Sequence, residues 1–172
     1  VSPSDTTKDL AVVAIPKSQI FTSNKGYLAT WRTSLFVERE DLFVGENVIF
    51  FGFPMARTVN GTQPFGRVGA IAGVDTVIDI IYLDADAFGG SSGSPVFLRF
   101  PDYPVLKKAG ARETTGYLVG VISGNIPYEK QLFNFESMRV EMLQSENSGL
   151  AVVVPAWEIA KLLPLAVAQI RK

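Results

Sequence analysis

Gly89-Gly90-Ser91-Ser92-Gly93-Ser94-Pro95-Val96-Phe97 runs from a small-residue turn straight into an apolar strand. Glycines on both sides allow a tight backbone turn, and small neighbours leave the Ser92 hydroxyl standing proud of the chain. The same turn aims free backbone N–H groups at one spot. The amides of Gly90 and Ser92 are the candidates to hold a negative charge developing on oxygen. Ser92 is therefore the candidate nucleophile. A plain Gly/Ser loop has the same composition and stays open at this point. A phosphate-cradling loop does not fit. No Gly-Lys-Ser/Thr ending follows, and Pro95-Val96-Phe97 continues as a strand instead of opening a helix.

On both sides of this turn the chain reads as short strands punctuated by Gly and Pro. Leu10 to Ile15 is a Val/Ile-rich run closed by Pro16, which predicts a buried strand. One strand is expected around Tyr27 to Trp31. Asn47 to Phe51 is a strand opened by Gly45 and ended by Gly52 and Pro54. Val59 to Gln63 is a turn built on Asn60-Gly61. Strands follow at Gly66 to Gly73, Val77 to Leu83 and Pro95 to Phe100. Asp102 to Thr115 reads as an exposed excursion. Gly116 to Ser123 and Gly149 to Val154 are again strands. Residues 130–146 read two ways: Leu132, Phe133 and Phe135 suit a strand, while Met138, Met142 and Leu143 suit a short helix. Ile159, Leu162, Leu163, Ala166, Val167 and Ile170 share one face of a closing helix, which Pro164 is expected to kink or split. Many short strands at fairly regular spacing predict an all-β barrel or sandwich with one C-terminal helix. Phe50, Phe51, Phe53, Phe97 and Phe100 are most simply core.

At 172 residues the length suits about one domain, and 47% apolar with 19% charged residues suits a real core. A net charge of −1 provides no basic footprint for nucleic acid. With no Cys there is no disulfide framework and no thiol nucleophile, and with no His either, the usual zinc ligands are missing. Asp75, Asp79, Asp84 and Asp86 offer carboxylates for a cation but lack the spacing of a calcium loop. No metal or cofactor is implied. Val1 to Lys8 has no apolar run and does not read as a signal peptide. The most apolar long stretch, Leu150 to Ile170, is interrupted by Glu158, Lys161 and Pro164, so no membrane span is expected.

Gly90-Ser91-Ser92-Gly93-Ser94-Pro95-Val96 resembles the Gly-Asp/Asn-Ser-Gly-Gly-Pro-Val/Leu signature of chymotrypsin-fold serine peptidases. Five further segments resemble the same family, in family order. Asp9-Leu10-Ala11-Val12-Val13 is similar to the segment bearing its catalytic aspartate. Gly45-Glu46-Asn47-Val48 with Gly52-Phe53-Pro54 is similar to the strand opening the second barrel. Asp84-Ala85 looks like the Thr-Asp-Ala lead-in of the bacterial HtrA-type branch. Gly120-Val121-Ile122-Ser123-Gly124 resembles the strand lining the substrate cleft, and Gly149 to Pro155 the last strand before the C-terminal helix. Ser91 and Ser94 depart from the pattern, which has Asp or Asn and usually Gly there.

The resemblance implies a chymotrypsin-like antiparallel β-barrel fold acting on a polypeptide substrate by acyl transfer. Its order along the chain is His, Asp, Ser. Carried over, Ser92 attacks, Asp9 orients the histidine, and Gly90 and Ser92 form the oxyanion hole. The histidine is expected upstream of Asp9, in sequence this chain does not include. Residues 1–40 would then be a remnant of the first barrel with its linker, 41–155 the complete second barrel, and 156–172 a C-terminal helix. Asp86 counts to the floor of the primary specificity pocket, where a carboxylate favours Arg or Lys. It also reads as a plain strand end. Ser123, Gly124 and Asn125 are implied to pair with substrate backbone. A bacterial extracytoplasmic location is consistent with the branch. The competing class is a catalytically inactive module of the same fold that binds peptides or proteins.

Overall fold

The structure, a computed structural model, describes residues 8–13, 15, 32–98, 116–134, 136 and 139–170. The expected strand around Tyr27 to Trp31, the excursion from Asp102 to Thr115 and Phe100 lie outside these residues.

Six antiparallel strands close into a barrel: β1 (Asn47–Gly52), β2 (Phe65–Asp75), β3 (Ile80–Asp84), β4 (Pro95–Leu98), β5 (Leu118–Asn134) and β6 (Arg139–Pro155). Around the barrel the order is β1-β2-β3-β6-β5-β4, and β4 pairs with β1 to close it. Alternation along each strand decides which side chains fill the inside. Val48 and Phe50 of β1, Ile81 and Leu83 of β3, and Ala151 and Val153 of β6 point inward and are buried in one cluster with Ile71, Val96, Val119 and Ile122. Phe97 and Leu118 face the other way. With Ala156 they form a second cluster on the barrel's outer wall, joined by Phe36, Ile49 and Ile159.

One helix, α1 (Ala156–Ile170), follows β6 without a break. It contains Pro164 and is not split there. Pro164 lies on the exposed face, so the Ala160 carbonyl that loses its partner can turn to water.

Other expectations are corrected or decided. Leu10 to Ile15 forms no strand over its described residues, and Val13 is 78% exposed. A β-branched run becomes a strand only when it joins a sheet, and this segment is not among the strands of the barrel. Val77 belongs to a turn, 91% exposed, because the Asp75 carboxylate accepts the Val77 and Ile78 amides and caps the bend. Met142 and Leu143 lie in strand, since β5 and β6 run on past the barrel as a two-stranded arm from Pro127↔Asn147 to Asn134↔Arg139. Phe50 and Phe97 are buried as expected, while Phe51 and Phe53 are exposed on the outside.

A cluster of charges ties the described N-terminal segment to α1. Lys8 Nζ lies 2.7 Å from Glu158 Oε2 and 3.7 Å from Asp79 Oδ2. Arg39 pairs with Asp79, and Lys161 with Glu158. The Arg39 guanidinium also sits 5.6 Å from the centre of the Trp157 ring. Burial pushes the Glu158 carboxyl up, but hydrogen bonds from Lys161 and Lys8, together with their charges, outweigh it and hold the group below its ordinary 4.5. A carboxyl held below its unfolded value stabilises the fold above that value, and the stabilisation is lost as pH falls through the lower native one. Acidification below 4.5 is therefore expected to lower the melting temperature more in the wild type than in Glu158→Gln. Paired thermal melts across that range check it, and parallel curves would contradict it.

Candidate functional site: the Ser92 turn

β3 leaves the barrel at Asp84, and the chain returns to it at Pro95 as β4. Ser92 lies on the turn between. Gly90 (φ +89°) and Gly93 (φ +82°) flank it in the left-handed region that glycine adopts without strain.

The turn is held from three sides. Within it, the Ser91 amide donates to the Phe88 carbonyl at 2.8 Å, and the Phe88 amide donates to Ser91 Oγ at 3.3 Å. From β5, the Ile122 carbonyl accepts from Gly93 at 2.7 Å, and the Ile122 amide donates to Ser94 at 3.0 Å. From the short 3₁₀ turn Pro54–Ala56, the Phe53 amide donates to Gly90 at 3.3 Å and the Met55 amide to Gly89 at 2.5 Å. Met55 and Ala56 both carry φ of +55°, a strained conformation for non-glycine residues. The bonds to Gly89 and Gly90 place that strain directly behind the serine turn.

These bonds use the carbonyls of Gly89 and Gly90. The Gly90 and Ser92 amides donate to no acceptor among the described residues. Two N–H groups on one exposed turn are thus open to an incoming oxygen. The Ser92 side chain is exposed, and its hydroxyl donates to the Ser123 carbonyl of β5 at 3.0 Å. Ser92 and Ser123 are therefore brought together.

Gly124 and Asn125 follow on β5, paired with Val152 and Ala151 of β6. A β-carbon on Gly124 would meet no atom within 4 Å, so the space in front of it is open. Asp86 is exposed and lies against β6, its Oδ1 3.8 Å from where a Gly149 β-carbon would stand. Asp9 is exposed and makes no hydrogen bond among the described residues. Its neighbour Lys8 is held by Glu158 and Asp79, and nothing described links Asp9 to the serine turn.

Sequence reasoning missed two supports. Ser91 and Ser94, the two departures from the family pattern, are 1% and 4% exposed. Ser94 fits only because residue 52 is glycine: a β-carbon there would stand 2.1 Å from Ser94 Oγ. Asn147 is the second support. Its Nδ2 donates to the Ala87 carbonyl at 2.8 Å and its Oδ1 accepts the Gly149 amide at 3.0 Å, which fastens the segment before the serine turn to β6. The Asn147-Ser148-Gly149 tripeptide was the available signal, since Asn and Ser side chains bond nearby backbone in this way.

No three His, Cys, Asp or Glu side chains gather to hold a metal ion among the described residues, and Asp79 is engaged by Lys8 and Arg39. No described helix is long and apolar enough to cross a membrane. A groove of about 750 Å³ lies between Thr33 and the Ala160–Ala168 side of α1, and no residue of the serine turn lines it.

The glycines of the turn make separable predictions. A β-carbon at Gly90 would stand 2.2 Å from the Phe53 carbonyl oxygen, whereas one at Gly93 would meet nothing within 4 Å. Both substitutions force alanine into the left-handed region, at a cost of about 1–3 kcal/mol. Gly90→Ala adds a backbone clash and is expected to melt well below Gly93→Ala. Equal melting temperatures would mean that the Phe53 contact does not hold the turn.

Comparison of the chain with protein-family models, with curated proteins and with solved structures finds no match.

Proposed function

We propose that this chain carries the nucleophile-bearing barrel of a chymotrypsin-fold serine endopeptidase, with Ser92 as nucleophile and a polypeptide as substrate. The observation that carries the reading is the Ser92 hydroxyl itself. It is exposed between two left-handed glycines, beside two amides without acceptors among the described residues, at the point where β5 loses β4 as a partner.

In this reading the Ser92 hydroxyl leaves the Ser123 carbonyl and gives its proton to a base as Oγ attacks the substrate carbonyl. The Gly90 and Ser92 N–H groups donate hydrogen bonds to the oxyanion. Collapse expels the amine, which takes the proton back from the base, and leaves an ester on Ser92. Water, deprotonated by the same base, then releases the acid. The base is a histidine oriented by Asp9, supplied by sequence beyond these 172 residues, none of which is histidine. Asp86 sits on the wall beside Gly149 and selects a basic side chain at the cleaved residue. Ser123, Gly124 and Asn125 pair with substrate backbone.

A second reading, a peptide-binding module without catalysis, is favoured by the lack of any histidine and by the engagement of Ser92 Oγ with Ser123. A fluorophosphonate applied to the native-length protein separates the two. An adduct mapped by mass to Ser92 is the expected result. Folded protein that stays unlabelled would overturn the catalytic reading and leave the binding one.

A further inference from the structure

β4 and β5 stay paired only from Phe97↔Leu118 to Pro95↔Val121. β5 does not stop there. It runs on to Asn134, paired along its other side with β6 as far as Asn134↔Arg139. From Ser123 onward, one edge of β5 therefore has no strand partner among the described residues. Eleven residues from Gly124 to Asn134 span about 35 Å at the usual rise. Such an edge offers backbone donors and acceptors to any extended chain that reaches it. Pro127 sits within it, and proline is tolerated in a sheet where a strand is an edge.

The edge begins at Ser92, whose hydroxyl meets the Ser123 carbonyl. A chain added there would occupy the lane that β4 occupies lower down. Antiparallel to β5, as β4 is, it would run toward Ser92 with its carboxyl-ward end. The arm also has two unlike faces. Cross-strand pairs share a face, so Tyr128, Lys130 and Leu132 lie with Glu146, Gln144 and Met142, and Glu129 and Gln131 lie with Ser145 and Leu143. Tyr128, Leu132 and Met142 are exposed on the first of these. A lone two-stranded ribbon is marginal in water, and a third strand would both pair its edge and cover these side chains.

We propose that the arm edge of β5, from Pro127 to Asn134, continues the pairing at Ser123–Asn125 into a docking rail for one extended polypeptide, the stretch of substrate on the amino side of the reacting bond. Apolar residues at every second position of that stretch pack on the Tyr128–Leu132–Met142 face. The proposal rests on the Ser92 reading and extends it: recognition reaches many residues beyond the reacting bond.

The test uses fluorescent acetylated peptides sharing one carboxyl-terminal residue, alternating Val and Lys, and growing from roughly three to roughly nine residues, about 30 Å when extended. Anisotropy on the native-length protein reads affinity, and the fluorophosphonate adduct on Ser92 is read in parallel. Affinity is expected to rise about tenfold or more over the series, since each added hydrogen bond contributes modestly. N-methylation of the longest peptide is expected to weaken binding at alternate positions and leave the intervening ones unchanged. Replacing residues 128–146 by Asn-Gly is expected to abolish the length dependence while the three-residue peptide still binds. The N-methyl scan decides the matter on unmutated protein if that variant does not fold. A labelled Ser92 with affinity independent of length overturns the rail and leaves the catalytic site. Length dependence without labelling overturns catalysis and leaves the rail. No binding at any length, or arms paired with each other in a dimer that peptide does not dissociate, overturns the rail.

Discussion

Ser92→Ala in the native-length protein is expected to lower peptide hydrolysis by about 10⁶-fold in kcat. Alanine at this position has no oxygen to form the ester, and what remains is binding and the two amides of the turn. Stability is expected to hold. Ser92 is exposed, and among the described residues its hydroxyl bonds the Ser123 carbonyl alone. Surface changes of this kind stay within about 0.5 kcal/mol, or about 2 °C in a chain of this size. Steady-state kinetics beside thermal melts check both halves. A loss of only about tenfold would place the nucleophile elsewhere. Wild-type protein without turnover, and equal peptide affinity in both forms, would favour the binding module.

Phe50→Ala is expected to produce the largest loss of folding stability, about 3–5 kcal/mol. Phe50 is 1% exposed in the main buried cluster, opposite Val96 of β4 and Arg67 of β2, whose guanidinium sits 5.9 Å from the ring centre. Six strands close around it, so the walls cannot collapse into the space that the ring vacates. The melting temperature should fall by about 6–20 °C. Phe51→Ala is the control one residue away. Its ring is 39% exposed on the outside of the same strand, and its loss should move the midpoint far less. Similar shifts for both would mean that β1 is turned over relative to the barrel.

Where one face of a strand is buried, the sequence announces it. Asn47–Gly52 and Pro95–Leu98 carry β-branched and aromatic residues that the barrel interior requires, and both were legible. The arm was not. Both of its faces meet water, so nothing imposes an alternation of apolar and polar residues, and Met138, Met142 and Leu143 mimic helical spacing. Val77 and Ile78 misled for the opposite reason. They carry the right propensity, but Asp75 bends the chain beneath them. At the site, Ser92 and its glycines were legible because a tight turn restricts composition. Asn147 was not, since a side chain that fastens a strand to a loop 60 residues away leaves no local pattern.

The barrel's strand order also dictates when it can form. β3 and β5 both wait for β6, which pairs with each of them, and the Tyr82↔Val152 partners are far apart in sequence. On the ribosome, a chain complete through β5 still presents two open edges and the inward face around Phe50 and Ile81 to the cytosol or to a chaperone. At about 5–20 residues per second, that exposure lasts for seconds, until residues near 155 have left the exit tunnel. β6 is the strand that seals the fold, so released chains truncated before it should be aggregation-prone, while chains that include it should not.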